Sequence, residues 1–196
     1  LISHEEFSEY KSGFYNTIVA KVYAGYQKSL EANNALDFDD LLFKVAQLFK
    51  EQPQVLEKYQ DKFRYILIDE YQDTNHAQYT ITRLLAQRYE NICATGDPDH
   101  SIYGWRGANI RNILNCEKDY PNSKLVHLEQ NYRSTKVILG VASELIKNNV
   151  SRKPKSLWTE RGDGPKVNIL KARDTEDEAA WIVDRIATIR LERTIP

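Results

Sequence analysis

Residues 66–75, ILIDEYQDTN, place three aliphatic residues directly before two acids, Asp69 and Glu70. A short apolar run that ends in charge is typical of a strand in a parallel sheet. Ligands of such sheets bind beyond the carboxyl ends of the strands, where these acids would lie. The pair therefore predicts a ligand site. The alternative is that both acids only cap or solvate the following loop.

The rest of the chain alternates between strand-like and helix-like stretches, which predicts an α/β fold with a parallel sheet covered by helices. The predicted strands are residues 63–70, 91–97, 124–130 and 166–172. The predicted helices are residues 3–34 (as one or two helices), 37–52, 76–89, 108–120, 134–149 and 175–189. Residues 151–165 are rich in Pro, Gly and charge, and are predicted to form an exposed connector.

Several predicted helices begin at a residue whose side chain can cap the first turn. The predicted caps are Ser3 with Glu6, Asp37, Asn75, Ser134, and Thr175 with Glu178.

Composition restricts the classes of protein to which the chain can belong. Its 27 Lys and Arg residues nearly balance 28 Asp and Glu residues, which argues against a uniformly basic nucleic-acid coat but permits a local basic groove. Cys93 and Cys116 lack metal-site spacing, which favours a reduced intracellular setting without structural zinc. No apolar run approaches the roughly 20 residues that span a bilayer. The first residues have no signal pattern and no initiating Met, and we expect a longer parent chain.

The loop after the second predicted strand, residues 96–109, reads GDPDHSIYGWRGAN. It presents Tyr103, Trp105 and Arg106 within four positions. Aromatic faces stack on unpaired bases, and a guanidinium binds phosphates or acids bidentately. These residues predict a nucleic-acid contact beside the first acid pair. The alternative is that Tyr103 and Trp105 are ordinary core residues.

A third polar stretch, LEQNYRST at residues 128–135, lies between a predicted strand and a predicted helix. Tyr132 could stack on a nucleobase, and Arg133 could meet developing phosphate charge. The alternative for Arg133 is an ordinary surface ion pair.

Together these stretches resemble superfamily I DNA helicases of the UvrD/PcrA/Rep group. The similarity covers nearly the whole chain from about residue 35. It is carried by the motifs DEYQDTN (69–75), GDPDHSIYGWRGA (96–108) and LEQNYRS (128–134), with flanking matches in ALDFDDLL (35–42) and ARDTEDEAAWIV (172–183).

The resemblance implies a partial RecA-like parallel sheet with flanking helices, followed by the start of a second RecA-like domain. Residues 1–30 would be the tail of a helical insertion in the first motor domain. Residues 31–128 would complete that domain, and residues 129–196 would begin the second. The parent protein would be a 3′→5′ DNA helicase of the bacterial cytoplasm and nucleoid that hydrolyses ATP with Mg²⁺.

The resemblance also implies roles for ATP-site residues. Asp69 would hold Mg²⁺ through water, and Glu70 would be the catalytic base. Gln72 would couple the nucleotide to the DNA path. Tyr132 would stack on adenine, and Arg133 would reach the γ-phosphate.

The DNA-facing residues implied by the family are Phe38, Tyr103 and Trp105, which would bind bases of single-stranded DNA near duplex junctions. Arg106 would link that pocket to the ATP site.

His100 stands where the family usually has a Gln that senses the γ-phosphate. Imidazole can still donate or accept one hydrogen bond, and it titrates near neutral pH. We therefore hypothesise a pH-dependent contact at this position.

The phosphate-binding loop GxxxxGK[ST] does not occur in the 196 residues. The chain therefore reads as the central part of a helicase that cannot hydrolyse ATP alone. Two other interpretations stay open. One is a non-hydrolysing single-stranded DNA-binding module, and the other is a degenerate structural domain.

Overall fold

The computed structural model describes residues 2–10, 13–150 and 152–193. The chain divides into two compact units. Unit 1 comprises Leu1–His127 and Asn149–Pro154, and unit 2 comprises Leu128–Asn148 and Lys155–Pro196.

Unit 1 carries both strands of the described residues and most of the helices. The strands are β1 (Ile66–Ile68) and β2 (Ile92–Ala94). The helices of unit 1 are α1 (His4–Tyr10), α2 (Phe14–Ala32), α3 (Asp40–Glu51), α4 (Pro53–Lys62), α5 (His76–Ala86), α6 (Arg111–Leu114) and α7 (Cys116–Asp119). The helices of unit 2 are α8 (Lys136–Ile146) and α9 (Thr175–Arg193).

The two strands pair in parallel, with Ile66 opposite Ile92 and Ile68 opposite Ala94. Helix α5 forms the crossover that a parallel pair requires. The α/β prediction with a parallel sheet is therefore confirmed. Because parallel strands end at the same edge, the segments that follow β1 and β2 are brought together.

Two of the four predicted strands are wrong. Residues 124–130 and 166–172 form no ladder, and only an isolated bridge joins Gln130 to Trp158. Leu128 and Ile169 are exposed. The apolar side chains of these stretches therefore have no buried face to stabilise a strand.

The helix boundaries near Pro53 are partly as predicted. Helix α3 ends at Glu51, but a new helix, α4, begins at Pro53 itself. Proline suits the first position of a helix because its missing N–H has no partner there in any case. Helix α4 was not predicted, because Pro53 was interpreted only as the end of a helix. The predicted helix 108–120 is divided into α6 and α7 at Asn115.

Three predicted caps are confirmed. Asn75 and Gln78 form a reciprocal capping box at α5, and Ser3 with Glu6 does the same at α1. The Asp37 carboxylate accepts a hydrogen bond from the Asp40 backbone N–H at 2.7 Å.

Two predicted caps are wrong because other groups accept the hydrogen bonds at the starts of these helices. The Lys136 and Val137 N–H groups, at the start of α8, each donate to a backbone carbonyl, of Gly162 and of Asp163, at 3.3 Å. The Asn131 amide oxygen accepts from the Ser134 N–H at 2.7 Å in the turn before the helix, and α8 has no side-chain cap. At α9, Asp174 accepts from the Asp177 N–H at 2.8 Å, whereas Thr175 lies inside the helix.

The interior of unit 1 lies where α3 packs against α4 and α5. Ala46, Phe49, Ala77 and Ala86 are buried there. The Phe49 and Tyr59 rings lie 5.6 Å apart between centroids. These three helices thus form the main apolar packing of the described part of unit 1.

Candidate functional site

The acids Asp69 and Glu70 directly follow β1 and are both exposed. Asp69 Oδ1 accepts hydrogen bonds from the Glu70 N–H at 2.9 Å and from the Thr95 hydroxyl at 2.8 Å. Glu70 has φ 49° and ψ 46°, a left-handed conformation that costs a non-glycine residue about 1–2 kcal/mol. Glu70 precedes the 3₁₀ turn Tyr71–Asp73. The Asp69 carboxylate therefore contacts Thr95, whereas the Glu70 carboxylate contacts Gln72.

The side chain of Gln72 joins the ends of the two strands. It is 1% exposed. Its Nε2 donates to Glu70 Oε2 at 2.6 Å and to Asp73 Oδ2 at 3.3 Å. Its Oε1 accepts from the Asp97 N–H at 3.0 Å. The orientation of Glu70 is therefore linked to the loop that follows β2.

Gly96 permits this close approach of the two strand ends. A Cβ at this position would lie 2.4 Å from Gln72 Oε1 and 3.0 Å from the Tyr71 backbone nitrogen. Only glycine leaves room for the Gln72 side chain in its observed position. The sequence marked Gly96 as a strand end but gave no sign of this contact.

His100 closes a 3₁₀ turn, Pro98–His100, next to Gln72. The Asp97 side chain accepts from the Asp99 N–H at 3.0 Å and caps the turn. The Ser101 hydroxyl donates to the Gln72 carbonyl at 3.4 Å. The His100 imidazole is largely exposed, and its Nε2 lies 3.8 Å from Asp97 Oδ2. The predicted residues Asp69, Glu70, Gln72 and His100 thus share one edge of the sheet.

Tyr103, Trp105 and Arg106 form a second group, which we call the aromatic cluster. The two rings lie 6.3 Å apart at 53°, and the Arg106 guanidinium lies 4.8 Å from the Trp105 ring centroid. The Trp105 side chain is 76% exposed, so the alternative that it is a core residue is wrong. Phe38 is 90% exposed in the loop before α3. Within the described residues, no ring contact or hydrogen bond joins Phe38 to the cluster.

The loop that carries the aromatic cluster is tied back to the acidic motif. The Thr74 carbonyl accepts from the Asn109 N–H at 3.1 Å and from Asn112 Nδ2 at 3.0 Å. Asn75 forms an antiparallel bridge with Ala108. Asn112, whose side chain is buried, was not predicted as a site residue, because its stretch contains several other polar residues and nothing in the sequence distinguishes it.

Unit 2 presents Tyr132 and Arg133, both exposed, immediately before α8. Asn131 Oδ1 accepts from the Arg133 N–H at 3.0 Å, and Arg161 Nη1 donates to the Arg133 carbonyl at 2.8 Å. The Tyr132 hydroxyl donates to Gln130 Oε1 at 2.8 Å. Within the described part of the chain, no acid lies at ion-pair distance from Arg133, which argues against its surface-pair alternative. Arg161 was not anticipated from the sequence.

Beneath the acidic motif, the side chain of Tyr71 is completely buried. Burial raises its pKa well above the ordinary tyrosine value, and the nearby Tyr120 and Cys116 add to the effect. Burial likewise raises the pKa of Tyr120 to about 12. No partner for the Tyr71 hydroxyl exists among the described residues. Both phenols are therefore uncharged at neutral pH.

Two sequence profiles match the chain. The UvrD/REP helicase N-terminal domain matches residues 1–121, and the UvrD-like helicase C-terminal domain matches residues 126–195. The chain belongs to the UvrD/REP helicase family. The acidic motif and the aromatic cluster lie in the N-terminal match, and Tyr132 and Arg133 lie in the C-terminal match.

Relatives within the UvrD/REP family include proteins named ATP-dependent DNA helicase PcrA. The protein from Staphylococcus aureus (strain NCTC 8325) is 55% identical over 173 residues, which are 88% of this chain and 24% of that protein. The protein from Bacillus subtilis (strain 168) is 53% identical over 186 residues, or 95% of this chain and 25% of that protein. The chain thus spans about a quarter of the length of these relatives. No helix in the described ranges is long and apolar enough to cross a membrane.

Proposed function

We propose that the chain is the central part of an ATP-dependent DNA helicase that translocates 3′→5′ on single-stranded DNA. One observation carries the proposal: the acids and the aromatic cluster belong to one hydrogen-bonded assembly. Gln72 joins Glu70 to the loop after β2, and Thr74 and Asn75 hold the segment that follows the cluster. Such an assembly can link nucleotide hydrolysis to contact with DNA.

In this proposal, Asp69 holds Mg²⁺ through water and Glu70 is the base that activates the attacking water. The exposed carboxylates supply the hard oxygen ligands that Mg²⁺ prefers, and no group of three metal-binding side chains is found in the described ranges. This donor set suits an ion held mainly by water and by the phosphates of ATP. Bound Mg²⁺ would neutralise phosphate charge. The Gln72 amide orients Glu70, and His100 takes the position of a γ-phosphate sensor.

Two residues of unit 2 are also assigned to nucleotide binding. Tyr132 stacks on adenine, and Arg133 stabilises charge on the γ-phosphate. The backbone of this pair is held by Asn131 and Arg161, while both side chains are exposed, as a ligand requires.

The DNA-binding part of the proposal assigns base stacking to Trp105, Tyr103 and Phe38. Exposed aromatic faces bind unpaired bases without sequence preference, with about 1–3 kcal/mol for each base. Arg106 lies over two of these rings, and its charge would favour a phosphate beside the stacked base. Single-stranded DNA next to a duplex junction is the expected substrate.

The proposed organisation places residues 1–30 in a helical insertion, residues 31–128 in the first motor domain and residues 129–196 in the second. The loop GxxxxGK[ST] is absent from the 196 residues. We therefore expect no ATP hydrolysis by this chain alone, and we assign the activity to the longer parent protein. The proposed location is the bacterial cytoplasm, on the nucleoid.

A strand-displacement assay tests the proposal. The full-length product of the reading frame should unwind duplexes with a 3′ single-stranded tail in the presence of ATP and Mg²⁺. A duplex with a 5′ tail is the matched control. Unwinding from the 5′ tail alone would contradict the proposed polarity, and no unwinding of either duplex would contradict the helicase proposal.

A second candidate is a single-stranded DNA-binding module without hydrolysis. The exposure of Trp105, together with the absence of the phosphate loop from this sequence, favours it. Calorimetric titration of the full-length product separates the two candidates. A helicase binds both oligo-dT and Mg-ATP, whereas a binding module binds oligo-dT only.

A further inference from the structure

The segment Asn149–Pro154 follows α8 but belongs to unit 1, although the chain on either side of it belongs to unit 2. The sequence predicted an exposed connector from residue 151 onward. That prediction is wrong for Arg152 and Lys153, which are only partly exposed. The segment is therefore an anchored part of unit 1.

The anchor point is the carboxylate of Asp99. Arg152 Nη2 lies 3.0 Å from Asp99 Oδ2, and the side chains are 15% and 4% exposed. Asn149 Nδ2 donates to Asp99 Oδ1 at 3.4 Å. The segment thus contacts both oxygens of a nearly buried carboxylate. Breaking a buried ion pair by removing one of its members is strongly destabilising, so the observed arrangement depends on Arg152.

Asp99 is the middle residue of the turn Pro98–His100, which borders the acidic site. Its backbone N–H donates to Asp97 Oδ1 at 3.0 Å, and the His100 N–H donates to the Asp97 carbonyl at 2.9 Å. The Asp97 N–H in turn donates to Gln72 Oε1. A short series of contacts therefore runs from Arg152 through the turn to the amide that contacts Glu70.

We propose that Arg152 is a positioning residue for ATP hydrolysis. Its ion pair with Asp99 fixes the turn Pro98–His100, and so holds the His100 imidazole and the Asp97 N–H beside Gln72. Arg152 contacts none of the reacting groups itself. The effect on hydrolysis rests on the proposed function, whereas the effect on the turn does not.

Lys153 provides a matched control on the same segment. It forms an ion pair with Glu117, away from the turn, and both partners are more exposed. Lys153→Gln removes one positive charge from the segment, as Arg152→Gln does, but leaves the contact with Asp99 in place.

The first experiment measures hydrogen exchange on this chain. With Arg152→Gln, we expect the amides of Asp99 and His100 to exchange about tenfold faster, because local opening of the turn becomes easier. The amides of α5 should keep their rates, and Lys153→Gln should leave the turn unchanged. The proposal would be overturned if amide exchange became equally faster throughout unit 1, or if it did not become faster at the turn.

The second experiment measures steady-state hydrolysis by the full-length product with oligo-dT. Arg152→Gln should lower kcat about tenfold with little change in KM for ATP, and Arg152→Lys should restore most of the loss. The double variant Asp99→Asn, Arg152→Gln should lose less than the sum of the two single losses, because both changes remove the same ion pair. An unchanged kcat, or additive losses, would overturn the positioning role. If the wild-type protein does not hydrolyse ATP, the proposed function fails, and hydrogen exchange still decides whether Arg152 holds the turn.

Discussion

The side-chain oxygen of Gln72 accepts a hydrogen bond from the backbone N–H of Asp97 at 3.0 Å, across the ends of two parallel strands. The same amide donates to Glu70 at 2.6 Å. A buried amide that uses both ends of its side chain in this way fixes the geometry of the edge that carries the site.

Gln72→Glu tests this link. The substitution removes the donor to Glu70 and places a third carboxylate beside Glu70 and Asp73. We expect the free energy of unfolding to fall by about 1–3 kcal/mol, as for a buried group that loses its partner. Urea denaturation of the chain measures the change. Gln54→Glu makes the same chemical change at an exposed position and should cost little. Equal losses in the two variants would contradict the role of Gln72.

Gly96→Ala tests the close approach at the end of β2. The new Cβ would lie 2.4 Å from Gln72 Oε1 and 3.0 Å from the Tyr71 nitrogen, so either the Gln72 side chain must leave its position or the two strand ends must separate. We expect a loss of about 1–3 kcal/mol in the free energy of unfolding. Gly25→Ala lies within α2 with open space around it and should stabilise the chain slightly. Thermal melting of both variants provides the comparison, and a neutral Gly96→Ala would show that the edge is not tightly packed.

Trp105→Ala tests the aromatic cluster. Because the side chain is 76% exposed, the melting temperature should hardly change. The affinity for oligo-dT should fall by about 1–3 kcal/mol, the value of one stacked base. Tyr65→Ala removes an equally exposed ring before β1, at the opposite edge of the sheet, and should leave binding intact. Fluorescence anisotropy measures both affinities. A Trp105 variant that binds as tightly as the wild type would exclude stacking at this position.

The raised pKa of Tyr71 predicts a loss of stability at alkaline pH. In the unfolded chain the phenol ionises near its ordinary pKa, about 10, whereas in the folded chain it stays protonated to higher pH. The unfolded state therefore loses its proton first, and the free energy of unfolding falls as pH rises above about 10. Tyr71→Phe should reduce this fall. Denaturation at several pH values between 8 and 11 measures the slope, and an unchanged slope would contradict the burial of the phenol.

The turn before α8 distinguishes the sequence prediction from the structure. Asn131→Ala removes the acceptor for two backbone N–H groups, at Arg133 and Ser134, and should lower the free energy of unfolding by about 1 kcal/mol. Ser134→Ala should cost much less. Circular dichroism during thermal melting compares the two variants. A larger loss for Ser134→Ala would restore the original prediction.

The parts of the fold that could be predicted from sequence depend on local signals. The apolar run before Asp69, the Asn75 capping box and the parallel pairing of β1 with β2 follow from spacing, side-chain chemistry and the intervening helix. The stretches 124–130 and 166–172 have the same apolar character, but a strand requires a partner, and partner availability is not a local property.

For the site, too, the sequence predicts individual residues but not the long-range contacts that hold them. The sequence marks Asp69, Glu70, Trp105 and Arg133 through residue type and motif. It cannot show that Asn112 holds the acidic motif or that Arg152 reaches Asp99, because these contacts join residues 38 and 53 positions apart in the sequence. Long-range polar contacts leave no periodic pattern, and only the folded chain shows them.

The most direct test of the central claim is the rate of ATP hydrolysis by the full-length product, with and without oligo-dT. We predict Mg²⁺-dependent hydrolysis that oligo-dT stimulates, and we expect Glu70→Gln to abolish hydrolysis while ATP binding is retained, because the base that activates water is lost. The same rate with and without oligo-dT, or undiminished hydrolysis by Glu70→Gln, would contradict an ATP-driven, DNA-stimulated motor built on this acid pair.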